Sequence, residues 1–222
     1  MASIPALLVL TVIARRDVRR RVTRWFARAF FLSIGTPVKT ANNTSLPTGP
    51  CVVVANHSSY LDGMILTAAL PPRFTFIIKH EMSTFPFAGY LLRRIGSEFV
   101  KREDGRQKNH VTRRLYKAAG AGDALAFFPE GTFDKLPGLR RFHPGAFAAA
   151  WHAKLPIVPV VIFGARAKLP ANAWLPAPGA LSVAIGKPIH PSDHSSARDL
   201  LNAARAVIHE QLGEPDRHYI PE

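Results

Sequence analysis

Five short apolar runs constrain this chain most. "CVVVA" (51–55), "FTFIIK" (74–79), "ALAFF" (124–128), "IVPVVIF" (157–163) and "LSVAI" (181–185) are each five to seven residues long. Runs of that length read as strands, and "CVVVA" and "ALAFF", apolar at every position, as buried ones. Between them lie helix-like stretches: Tyr60–Leu70, stopped by Pro71 and Pro72, Phe87–Ile95, Asp104–Gly120, Gly145–Ala153 and a closing Ser195–Leu212. Glu98–Val100 adds a short strand. Strand and helix in alternation predict an α/β fold with a mixed, largely parallel central sheet flanked by helices. The turn-rich segment "TPVKTANNTSLPTGP" (36–50) reads as a connection.

Chemistry in such sheets gathers beyond the strand ends, so the residues there matter most. "VVVANHSSYLDGMIL" (52–66) places His57 just past a strand and Asp62 five residues later. An offset of five across a strand-to-helix turn can bring the carboxylate onto one ring nitrogen. That would fix the tautomer and leave the other nitrogen as a base. Alone, the pair is equally an accident of spacing, with Asp62 a helix-start carboxylate. "GSEFVKRED" (96–104) delivers Lys101 and Arg102 at a strand end, suited to a phosphate or to a solvated basic edge. "FFPEGTFDK" (127–135) ends a strand on a Pro-Glu-Gly turn with Glu130 at its tip, where a carboxylate could hold a substrate hydroxyl. Pro159 interrupts an apolar run, and its missing donor predicts an irregular or edge position.

The net charge of +14, from 29 Lys and Arg against 15 Asp and Glu, calls for an anionic partner. Its distribution argues for a membrane surface over nucleic acid. Residues 1–35 carry an apolar run, Ala6–Ala14, too short to span a bilayer. A basic amphipathic helix follows. Val18, Val22, Trp25, Phe26, Ala29 and Phe30 share one face, and Arg16, Arg20, Arg21, Arg24 and Arg28 take the other. Such a helix suits a membrane interface, its arginines near lipid phosphates. The alternative is an ordinary packed helix with a solvated basic face. No zinc-finger spacing or RNA-recognition signature accompanies the charge. A hydrolase using Ser58 or Ser59 lacks the G-x-S-x-G elbow, and no metal-ligand cluster surrounds His57. The single Cys51, in an apolar run, reads as a buried thiol.

Taken in order, the NHxxxxD, G…VKR, FPEGT and IVPV strings resemble the glycerolipid acyltransferase family over roughly residues 50 to 190. The resemblance implies an acyltransferase domain over 36–222 behind a membrane-associating segment over 1–35. It also implies a site at the cytoplasmic face of the inner membrane. It makes His57 the general base and Asp62 its orienting partner. Lys101 and Arg102 would bind the acceptor phosphate, while Glu130, Gly131 and Thr132 hold the glycerol part. The stretch around Pro159 would shape the donor site. The donor would be acyl-CoA or acyl carrier protein, the acceptor a lysophospholipid such as 1-acyl-glycerol-3-phosphate, and no cofactor is implied. Members that use that acceptor commonly carry arginine where this chain has Phe133, and often lysine where it has His143. Arg140 and Arg141 are left to replace them, or the acceptor is another lysophospholipid or a lyso amino-acid lipid.

Overall fold

A computed structural model describes residues 13–100, 123–171, 173 and 175–217. Seven strands form one sheet: β1 (Val38–Ala41), β2 (Val52–Ala55), β3 (Phe74–Lys79), β4 (Glu98–Val100), β5 (Ala124–Phe127), β6 (Ile157–Phe163) and β7 (Leu181–Ile185). Their order is β1-β7-β6-β2-β5-β3-β4, and every pairing is parallel except β6 with β7. The expected sheet is therefore present, with its strand limits within a residue of those read from the apolar runs. One strand goes beyond the sequence reading. β1 falls inside the segment taken as a connection, because "VKTA" is short, lies at the sheet edge and has no continuous apolar run.

Alternate residues of the central strands feed two cores. Val53, Ala55, Val158 and Val160 pack with α2 (Asp62–Ala69) on one face. Val52, Val54, Ile157 and Val161 pack with α4 (Gly145–His152) and α6 (Ala197–Leu212) on the other. α3 (Pro86–Arg94) leads into β4, and the short α5 (Ala165–Lys168) follows β6. The expected helix over Asp104–Gly120 lies outside the described residues.

Pro159 is buried in β6, which is interior, not an edge strand. The irregularity predicted there falls on the β7 side instead. The ladder ends at Val160–Ile185 and resumes only as a bridge at Ile157–Ile189. Between them the Gly186 N–H donates to the Pro159 carbonyl at 2.8 Å. A side chain at Gly186 would meet Pro159 Cγ at 2.9 Å, so the bulged segment needs glycine to come this close.

The N-terminal helix α1 (Arg16–Ser33) forms as predicted, and several of its arginines reach from the basic face to neighbouring helix ends, Arg20 from a buried position, while Arg21 stays exposed. Arg24 and Arg28 donate to the carbonyls of Ala68 and Ala69, which end α2. Arg16 reaches Gly96 O at 2.8 Å, and Arg20 reaches Ile95 O at 3.1 Å, both just past the end of α3. Helix C-termini leave carbonyls without partners and carry partial negative charge. An arginine every fourth residue caps two such ends at once. Arg20 is buried, and it also bonds Asp123 Oδ1 at 3.2 Å and the Thr75 hydroxyl. Ala27 and Phe31 anchor the same side in the core. Of its other apolar residues, Trp25 (64%) and Leu32 (66%) are exposed, whereas Val22, Phe26 and Phe30 are half-buried and Phe30 packs against the core. Among the described residues, no helix is long and apolar enough to cross a membrane.

Candidate active site

β2 ends against two neighbours, and each is tied to the turn that follows it. Asn56 is buried and extends the β2–β6 pairing with its side chain. It accepts from Ile162 N at 2.8 Å and donates to Ile162 O at 3.1 Å. This fixes the chain just before His57. Asp62, the first residue of α2, is fully buried, and its Oδ2 gathers the turn around itself. That oxygen accepts from Ser58 N at 2.6 Å and Ser59 N at 2.9 Å, and lies 2.8 Å from His57 Nδ1. A carboxylate can only accept there, so Nδ1 carries the proton and Nε2 is left with a free lone pair. The five-residue spacing thus brings the carboxylate onto the ring nitrogen. Ser59 is fully buried with its hydroxyl donated to Leu169 O at 2.8 Å, which leaves it no nucleophile's role.

The imidazole is held on its faces as well. Phe128 stacks on it at 4.4 Å between centroids, and Phe133 meets it edge-on at 4.6 Å, with Tyr60 edge-on to Phe133. Phe133 therefore packs against the candidate base at the position where the resemblance leads one to expect arginine.

Glu130 sits on the neighbouring strand end, after β5. Phe128 to Gly131 close a turn through the Gly131 N–H on Phe128 O at 3.1 Å, and Gly131 has φ +79°, which favours glycine. The turn buries the Glu130 side chain. Its Oε1 accepts from His57 N at 2.6 Å and its Oε2 from Arg140 N at 2.8 Å. Both oxygens are thus committed to protein amides, and a substrate hydroxyl has only the remaining lone pairs. Burial, with a smaller contribution from the Asp62 charge, pushes this carboxyl up to about 7 against the pull of the two amides.

Gly131 and Thr132 border the turn, with Thr132 exposed. The Arg140 guanidinium pairs with Asp134, and Arg141 is exposed. Arg217 also pairs with Asp134, holding that carboxyl down at about 2, and Arg166 pairs with Glu214. These bonds fasten the loop after Glu130 to the C-terminal segment. Lys101 and Arg102 lie outside the described residues. β4 stops at Val100, on the sheet edge that carries His57 and Glu130. Sequence reasoning missed Asn56, Phe128 and the clamp of Glu130 on His57. Only the position of Asn56 at the end of an apolar run hinted at any of them.

Residues 37–163, more than half of the chain, match the family described as acyltransferase. The chain belongs to the acyltransferase family. Among its acyltransferase relatives is the lyso-ornithine lipid O-acyltransferase of Pseudomonas aeruginosa, 31% identical over 199 residues, 89% of this chain and 70% of that protein. Another is the probable 1-acyl-sn-glycerol-3-phosphate acyltransferase of Mycoplasma genitalium, 32% identical over 78% of this chain and 70% of that one. The fold matches the crystal structure of the 1-acyl-sn-glycerophosphate (LPA) acyltransferase PlsC of Thermotoga maritima. There the TM-score is 0.78 at 22% identity, over 93% of this chain and 85% of that one. The acyltransferase fold and the strand-end dyad are thus found in one chain.

Proposed function

We propose that this enzyme transfers a fatty acyl chain from the thioester of acyl-CoA or acyl carrier protein to the free hydroxyl of a lysophospholipid. The observation that carries the reading is the 2.8 Å contact of His57 Nδ1 with a fully buried Asp62. Nε2 takes the proton from the acceptor hydroxyl as its oxygen attacks the thioester carbonyl. Asp62 stabilises the imidazolium that forms. The tetrahedral intermediate then expels the thiolate, which recovers the proton from His57. No protein nucleophile and no acyl-enzyme is needed. In this reading Lys101 and Arg102 bind the acceptor phosphate, Gly131 and Thr132 border the glycerol part, and the segment around Pro159 lies on the donor side.

The leading acceptor is 1-acyl-glycerol-3-phosphate, giving phosphatidic acid. A second reading, a lyso amino-acid lipid, is favoured by Phe133, which sets an aromatic ring beside His57 where a phosphate-binding cation is expected. The pairing of Arg140 with Asp134 points the same way. Work at the cytoplasmic face of the membrane fits the exposed Trp25 and Leu32 of α1, which would lie against lipid while its arginines hold the domain. The deciding experiment offers the purified enzyme a panel of lysolipids with acyl-CoA and, separately, acyl carrier protein, and identifies products by mass spectrometry. A new diacyl lipid supports the reading and names the acceptor. Thioester hydrolysis alone, with every acceptor, would overturn it.

A further inference from the structure

After α6 the chain returns to the loop that follows Glu130. α6 ends at Leu212, and residues 214–217 run beside that loop. Leu139 N donates to Pro215 O at 2.9 Å and Arg217 N donates to Leu139 O at 3.0 Å, so Leu139 and Asp216 form a parallel bridge. Leu139 is fully buried, and Arg205 of α6 donates both to its carbonyl and to the Asp216 carboxylate. Gly138 N donates to Glu214 Oε2 at 2.6 Å. Arg166 of α5 joins the same carboxylate to the carbonyls of Asp134 and Leu136.

The residue after Leu139 is the one that holds Glu130. Arg140 N donates to Glu130 Oε2, and Glu130 Oε1 accepts from His57 N. Successive amides of a bridged chain point to opposite sides. One amide therefore meets the C-terminal segment, and the next meets the carboxylate that clamps the base. Arg217 grips the loop twice. Its backbone N–H holds Leu139, and its Nη1 donates to Asp134 Oδ1 at 2.7 Å. The Arg217 side chain is 9% exposed, so solvent screens that ion pair little. Asp134 pairs in turn with the Arg140 side chain, which closes the loop on itself.

We infer that residues 214–217 are a strap that positions the catalytic base, with Arg217 as its positioning residue. Through Asp134 and the Leu139–Arg140 amides the strap sets the Glu130 carboxylate, and through that carboxylate the backbone of His57. The kinetic part of this inference rests on the acyl transfer proposed above; the geometric part does not. A slack strap lets Arg140 N draw away from Glu130, and the contact between Glu130 and His57 lengthens while the fold stays. The Arg217 side-chain bonds run through Nη1, and its buried Nε has no partner. The pair with Asp134 therefore needs a terminal cation and not the planar fork of a guanidinium, so lysine can replace the arginine.

The test compares Arg217→Gln and Arg217→Lys in the full chain. The His57 backbone amide is read by NMR without substrate, and kcat is measured with acyl-CoA and 1-acyl-glycerol-3-phosphate. An amide that donates to a carboxylate at 2.6 Å resonates downfield. In Arg217→Gln it should move upfield, and kcat should fall about five-fold, the scale of one ion pair. Arg217→Lys should restore both. Added to Glu130→Gln, Arg217→Gln should lower kcat by no more than about two-fold further, because the strap acts through that carboxylate. A purely structural role would leave the two losses multiplying in full. If Arg217→Gln does not fold, Asp134→Asn breaks the same pair from a more exposed side chain and is read in the same way. A folded variant with an unmoved His57 amide, or losses that multiply in full, would overturn the strap. A wild type inactive on these substrates would count against that acceptor, and the amide measurement would still decide the strap.

Discussion

Replacing Glu130 by glutamine tests whether the FPEG turn positions the base. The wild-type carboxylate accepts from His57 N at 2.6 Å and from Arg140 N at 2.8 Å. A glutamine of the same shape has one accepting oxygen and one donating nitrogen, so one buried N–H loses its acceptor and faces another donor. A hydrogen bond to a charged group is worth about 1.5–3 kcal/mol. If that loss falls on His57 and appears wholly in the barrier, kcat drops about 10- to 150-fold. Stability carries a second signature. Burial raises the Glu130 carboxyl from 4.5 to about 7, so between those values the folded protein holds the proton and the unfolded chain does not. This contribution to stability is full below pH 4.5 and is lost as pH rises through about 7. A shift of that size is worth about 3 kcal/mol. Glutamine cannot titrate. Urea unfolding at pH 5 and pH 8 should therefore show wild type losing about 3 kcal/mol relative to Glu130→Gln between the two. Parallel pH profiles, together with an unchanged kcat in the folded variant, would refute the clamp.

Other predictions concern α1. Arg20→Met removes a buried guanidinium that bonds Asp123 and the carbonyls of Ile95 and Arg73, leaving Asp123 only its 3.8 Å pairing with Arg16. It should cost about 3–5 kcal/mol in urea unfolding, and a loss under 1 kcal/mol would mean that the arginine stripe does not dock the helix. Trp25→Glu, at an exposed apolar residue, should reduce cosedimentation with anionic vesicles while leaving the melting temperature nearly unchanged. Equal vesicle binding by both proteins would remove α1 from the membrane surface.

The parts of the fold that were legible are those that local pattern dictates. Runs such as "VVVA" and "ALAF", apolar at every position, fit only strands buried on both faces, and they reappear as β2 and β5. His57 and Asp62 were legible because both lie within one turn, where spacing alone fixes the geometry. Glu130 was legible as a residue at a turn, but its partners were not. They are backbone amides 73 and 10 residues away, which carry no sequence signal. The docking contacts of α1 were not legible for a similar reason. A helical wheel separates the two faces of a helix but does not say which one docks. The carbonyls that draw in Arg16, Arg20, Arg24 and Arg28 are ends of other helices. Burying a charged face is favourable only where such ends are waiting.

The most direct test of the account is turnover by His57→Ala, measured as thiol release coupled to formation of the acylated lipid, with circular dichroism and melting curves to show that the variant is folded. General-base catalysis is typically worth about 10²–10⁴-fold, and kcat should fall by at least that. Asp62→Asn should also lose a large factor, because the amide holds the wrong tautomer, and the double variant should be little worse than the worse single one. A folded His57→Ala protein that acylates its lysolipid at a near-normal rate would contradict the assignment of His57 as the base.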